Sequence, residues 1–196
     1  MKCCSPILVC VILSLLPSIL PSQEKRSAKG RHELPYSDDE GYVVLSKILG
    51  PAFEANGKKL MSIRRLTIRP RDLDQCTDVP KDFQDAAADF KKKVSIKYTF
   101  ERRFSPSLKY ELVTIVSPPG SVPPHPAPGK TLERTRNVSG IYYLSAVGFD
   151  KNKTHAIAYE KYFCGELCGD DSFYFLLKDK NGWEDAPGIT GCSRIF

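Results

Sequence analysis

The chain has 196 residues, a formal net charge of +6 and a hydrophobic fraction of 41%. That length suits one domain with its own core. Beyond the first 22 residues no stretch approaches the roughly 18 consecutive apolar positions of a membrane-spanning helix, and the modest basic excess permits contact with anionic surfaces without demanding it.

The opening "MKCCSPILVCVILSLLPSILPSQEKR" places Lys2 ahead of an apolar core from Ile7 to Leu16, then a small residue, Ser22, before a polar run. This layout predicts a secretory signal peptide over residues 1–22 and a secreted or periplasmic protein. Pro17 and Pro21 interrupt the apolar stretch and argue against a membrane anchor, so no membrane span is expected after cleavage. Cys3, Cys4 and Cys10 leave with the leader. Cys76, Cys164, Cys168 and Cys192 remain, an even set in an oxidising compartment, which favours disulfides and allows three complete pairings.

Residues 23–36 are polar and read as a flexible lead-in, with a single domain over 37–196. At its start Ser37 and Glu40 have capping-box spacing. Tyr42, Leu45, Ile48 and Leu49 recur at helical spacing, and Gly50-Pro51 predicts the helix end. The basic run Lys58 to Arg71 holds Lys58, Lys59, Arg64, Arg65, Arg69 and Arg71. It reads as a strand with a solvated charged face, or alternatively as an anion-binding surface facing an anionic envelope. No aromatic residue interleaves there to stack bases, so nucleic acid is not expected as a partner. A second helix is predicted from "DVPKDFQDAAADFKKKV". Phe83, Ala86, Ala87, Phe90 and Val94 form its stripe, with acids early and lysines late to suit the macrodipole.

From Ser95 the period changes to two, with strands expected around Ile96–Phe100 and Lys109–Val116. Residues 117–130, "SPPGSVPPHPAPGK", form a proline-rich exposed loop. Asn137 and Asn152 lie in glycosylation sequons, used only in a eukaryotic host. "IYYLSAVGF", "THAIAYEKYF" and "SFYFLL", followed by a short segment around Trp183, are separated by turn-rich links short enough for hairpins. The expected fold is α+β: a C-terminal antiparallel β-meander covered on one face by two N-terminal helices.

Cys164 and Cys168 flank one of these turns. The favoured reading is a disulfide clamping the hairpin, with Gly165 and Gly169 supplying backbone freedom. That leaves Cys76 with Cys192 as the second bridge. The alternatives are crossed disulfides, a redox dithiol or zinc. The dithiol lacks the C-x-x-C spacing and the helix N-terminus that depress a thiol pKa, and zinc lacks a second C-x-x-C pair. No G-x-S-x-G elbow, H-E-x-x-H or phosphate-cradling glycine loop occurs, and no cofactor is implied. Ser37 to Glu40, "SDDE", reads as helix capping rather than a metal cluster. His155 opens a strand and reads as a surface residue.

The stretch Tyr142–Trp183, with Ser145, Val147-Gly148-Phe149, Thr154, Ala156, Tyr159, "CGELCG" and the late Trp183, resembles a family of exported bacterial proteins of unknown function. Their pattern is S-R-V-G-F-N, then C-G-x-L-C-G, then a tryptophan; Ala146 stands where that pattern has arginine. The resemblance implies an exported α+β domain and supplies no reaction. The expected function is therefore an exported, disulfide-stabilised, non-catalytic domain with a binding or structural role. The alternatives are an exported hydrolase-like enzyme with a dispersed site, or a binder of polyanionic surfaces through Lys58 to Arg71. A sheet face with converging polar residues would favour a site there, and filled apolar faces would favour a plain module.

Overall fold

The structure is a computed structural model describing residues 33–70, 73, 79–115, 140–165, 168–189 and 193–195. The predicted leader, most of the lead-in, the proline loop, Arg71, Cys76, Asn137 and Cys192 lie outside the described residues.

The end of the lead-in is part of the fold. Strand β1 (Leu34–Pro35) pairs parallel with β3 (Tyr98–Thr99). Tyr36 is buried among the rings of Tyr42, Tyr98 and Phe100, with centroids 5.3–5.6 Å away. Edge-on contacts of this kind add to the area that aromatic residues remove from water.

Helix α1 (Asp39–Ala55) differs from expectation at both ends. Its N-cap is Asp38, whose carboxylate accepts the Gly41 N–H, and not Ser37. Its body passes through Pro51 for one further turn. Proline removes one helical hydrogen bond, but Phe53 beyond it is buried in the core and holds that turn in place. The stop comes at Gly57 (φ +65°), where the Lys58 N–H closes onto the Phe53 carbonyl at 2.9 Å in a Schellman-type cap. Helix α2 (Gln84–Lys93) follows a 3₁₀ turn (Lys81–Phe83) and buries Phe83, Ala86, Ala87 and Phe90 as its stripe predicts.

Apart from β1 and β3, which pair only with each other, the described strands form one mixed sheet. The remaining strands are β2 (Met61–Arg64), β4 (Tyr110–Val113), β5 (Ile141–Leu144), β6 (Gly148–Phe149), β7 (His155–Gly165), β8 (Cys168–Asp179), β9 (Gly182–Asp185) and β10 (Ser193–Ile195). The order is β4-β2-β5-β7-β8-β10, with β6 also on β7 and β9 also on β8. β7, β8 and β9 are consecutive antiparallel strands. β2 lies parallel to both β4 and β5, so the sheet is not a simple meander.

The two helices lie on opposite faces of this sheet, which corrects the expectation that both cover one face. Ala156 and Ala158 of β7 join Leu45, Leu49, Leu176 and Trp183 in the core that contains α1. Ile157 and Tyr159 join Phe90, Phe173 and Phe175 in the core that contains α2. Successive strand residues point to opposite faces, and "HAIAY" leaves neither face polar, so each needs its own cover.

Between β5 and β6 the edge pairing with β7 is interrupted at Ser145, which is fully buried. Its hydroxyl accepts the Tyr159 N–H at 2.9 Å and donates to the Ala146 carbonyl at 2.8 Å. The side chain thus satisfies a strand amide that the bulge would orphan. Ser145→Ala is expected to cost about 1–3 kcal/mol, read as a lower urea midpoint with an unchanged m-value; an unchanged midpoint would refute this role.

Candidate functional site

Two places gather chemistry-bearing side chains. The first is a cleft of about 600 Å³ at the start of α1, lined by Tyr36, Asp38, Asp39, Glu40, Lys93 and Lys153 among others. Asp38 accepts from Lys93 (3.3 Å) and Lys153 (3.1 Å), and Lys93 also reaches Asp89 (2.8 Å) and the Val147 carbonyl (3.1 Å). Glu40 accepts from Lys178 (2.7 Å) and from the Trp183 indole N–H (2.5 Å), and Arg103 pairs with Asp39. Lys93 and Lys153 both stand over the Phe149 ring. Burial works against the Asp38 carboxylate, but hydrogen bonds and charge from Lys153 and Lys93 outweigh it and hold its pKa below the ordinary value. The hydrogen bond from Lys178 does the same for Glu40. Each acid here already has its cation. The cluster therefore ties α1 to α2, to the β6–β7 turn and to β8 and β9, and "SDDE" serves as helix cap and ionic lock.

The second place is the α1-side sheet face toward the β7–β8 tip. In register across three strands, Tyr142 of β5 pairs with Tyr162 of β7, and Tyr162 pairs with Asp170 of β8. The Tyr142 and Tyr162 ring centroids are 4.7 Å apart, tilted by 36°. One row in, Glu160 is 8% exposed and accepts the Tyr174 hydroxyl at 2.9 Å. Burial raises the Glu160 pKa to about 7, the Tyr174 hydrogen bond opposing and the Asp170 charge adding to it. Burial likewise raises the Tyr142, Tyr162 and Tyr174 hydroxyls. Asp170 is exposed, and Tyr162 and Tyr174 are half-buried, so this face is reachable from solvent.

Cys164 and Cys168 lie at disulfide distance at the tip of the same hairpin, with Cα atoms 5.1 Å apart. The pairing register shifts between Phe163 and Gly165, and Gly165 pairs with Cys168. The cysteine pair thus sits two residues beyond the tyrosine row, where a bridge would limit the splay of the two strands.

The basic run is dispersed. Lys58 caps α1 and pairs with Glu54 at 3.2 Å. Lys59, Arg65 and Arg69 are exposed, while Arg64 is half-buried with its guanidinium 5.5 Å from the Tyr143 ring centroid. His155 is half-buried rather than on the surface, with Phe83 edge-on to its ring at 4.9 Å and Nδ1 3.0 Å from the Thr154 hydroxyl. Asn152 is exposed in the β6–β7 turn. Among the described residues no group of three or more His, Cys, Asp or Glu could hold a metal ion, and no helix is long and apolar enough to cross a membrane.

Glu160 and its tyrosines did not stand out in the sequence. The available signal was parity: Glu160 shares a strand face with Ala156 and Ala158, so a carboxylate falls on a face otherwise apolar.

No protein-family model, curated protein or solved structure matches the chain.

Proposed function

We propose that the chain is an exported, non-catalytic binding domain whose contact face is the tyrosine-lined end of the β7–β8 hairpin, held in shape by the Cys164–Cys168 bridge. The observation that carries this reading is the cluster of half-buried Tyr162 and Tyr174, buried Tyr142 and Glu160 and exposed Asp170 beside the cysteine pair at the hairpin tip. Aromatic rings with a polar end are well suited to ligand contact. The leader expected from the sequence of residues 1–22 and the resemblance to exported bacterial proteins of unknown function support the compartment. A binding rather than catalytic role is supported by the way the other groups are used. His155 is locked by Thr154, Asp150 and Phe83, and the acids of the cleft are paired with lysines and Arg103.

The test is an intact mass of the chain recovered from a secreting host, alkylated before and after reduction. The expected result is loss of the leader near Ser22 and Cys164 and Cys168 inaccessible to alkylation until reduced. A retained leader, or free alkylation of both thiols in the native protein, overturns the reading.

A further inference from the structure

We propose that Asn152 is an N-glycan attachment site, filled during export through a eukaryotic secretory pathway and before the β6–β7 turn closes. This goes beyond the binding-domain reading and rests on its export step alone.

The first argument is placement. Asn152-Lys153-Thr154 has the Asn-x-Thr form that an oligosaccharyltransferase accepts, with no proline between. A glycan is bulky and hydrophilic, so it needs a position clear of the core. The last pair of the β6–β7 ladder is Phe149 with Ala156, and Asn152 lies at the tip of the turn beyond it. Lys151, Asn152, Lys153 and Thr154 are all exposed, and none of them belongs to either core.

The second argument is timing. The transferase reads the Asn carboxamide together with the hydroxyl two residues on. In the folded turn the Thr154 hydroxyl donates to Asp150 Oδ2 at 2.8 Å and lies 3.0 Å from His155 Nδ1. Asp150 Oδ1 also accepts the Thr154 and His155 N–H groups, at 2.7 and 2.8 Å. The Lys153 N–H donates to the Asp150 carbonyl and the Asp150 N–H to the His155 carbonyl, both at 3.1 Å. Hydroxyl and backbone of the acceptor are thus committed to Asp150. They are free only before the turn forms, or in the small fraction of molecules where it has opened locally.

The donor class is an oligosaccharide carried on a lipid pyrophosphate. The Asn152 carboxamide nitrogen bonds to the anomeric carbon of the first sugar as the bond from that carbon to pyrophosphate breaks. The lipid pyrophosphate leaves with the electron pair, and the amide proton passes to the transferase and then to solvent.

The experiment secretes the full chain from cultured eukaryotic cells and digests it with a peptide-N-glycosidase, which converts a glycan-bearing Asn to Asp. Peptide mass spectrometry should show that conversion at Asn152. The glycan there should persist in Asn137→Gln and Thr154→Ser and be lost in Thr154→Ala. For the timing, unglycosylated folded chain from a bacterial host is mixed with solubilised transferase and its lipid-linked donor. The parent should be accepted roughly tenfold more slowly than Asp150→Ala, because the open fraction sets the rate. Circular dichroism verifies folding, and Asp150→Asn, closer in shape, replaces Asp150→Ala if that variant is unfolded. An unmodified Asn152 in the secreted chain overturns the site. Equal acceptance of folded parent and variant overturns the timing. If residues 1–22 do not direct export, the export reading fails, and the same chain behind a leader of the host still decides the site.

Discussion

Gly148→Ala is expected to lower the melting temperature by roughly 6–12 °C, the equivalent of about 3 kcal/mol in a domain of this size. A Cβ at Gly148 would press into the backbone N–H of Phe90, the Phe90 Cβ and the backbone carbonyl of Ala86, closer than real Cβ contacts come. Two of these are backbone atoms of α2, so no rotamer change relieves the clash and the helix itself must move. The same helix is tied to β6 by the Phe149 N–H, which donates to Asp89 at 2.9 Å. Displacing α2 would also uncover Phe90, which is fully buried against Phe173. Calorimetry of the parent and the variant measures the effect. A drop of under about 2 °C would show that α2 can shift cheaply, and the argument from close packing would fail.

Glu160→Gln is expected to change the shape of the stability curve against pH. The folded carboxyl has its pKa raised from 4.5 to about 7. Between those values the folded protein keeps a proton that the unfolded chain has released, so stability falls as pH rises through this window. Above about pH 7 the loss is complete, at roughly 3 kcal/mol. Asp38, Glu40 and Asp150 act in the opposite sense in a separate window. Their pKa values are lowered by Lys153 and Lys93, by Lys178, and by the His155 and Thr154 hydrogen bonds respectively, against the pull of burial. Their contribution is present above the ordinary carboxylate pKa and is lost as pH falls through the folded values. The parent should therefore be most stable on the acidic side of neutrality, near pH 5 by this linkage. In Glu160→Gln the decline toward neutral pH should vanish while the acid limb stays. Urea denaturation across the pH range measures both limbs. Parallel curves for parent and variant would mean that Glu160 ionises as freely folded as unfolded.

The C-terminal strands were legible because turns rich in Gly, Asp and Asn separate short apolar runs, and such turns are local chemistry. The β8–β9 turn shows it: Asp179 accepts the Asn181 and Gly182 N–H groups, and Gly182 takes φ +123°. The stripe of α2 was legible for the same reason. The end of α1 was not, because a local stop at Gly50-Pro51 competes with burial of Phe53, and tertiary packing prevailed. The parallel placement of β2 between β4 and β5 joins residues far apart in the chain, which no local pattern encodes. The opposite placement of the helices had a readable trace. "HAIAY" is apolar at every step after its histidine, the mark of a strand covered on both faces. In the candidate site the cysteine pair was visible from its spacing across a predicted turn. Glu160 was obscured because a lone acid in a strand ordinarily faces water.

The alternation of β7 between two interiors bears on how this chain can change over time. Ile157 and Ala158 are neighbours along the backbone, yet one belongs to the α2 interior and the other to the α1 interior. A substitution at Ile157 is therefore answered by compensating changes at Phe90 or Phe175, tens of residues away on one side and eighteen on the other, and not at the adjacent position. The two halves of the molecule can drift at independent rates while sharing a single strand. Relatives of this chain would then show patches of correlated variation interleaved residue by residue along β7, instead of divided into an early and a late segment.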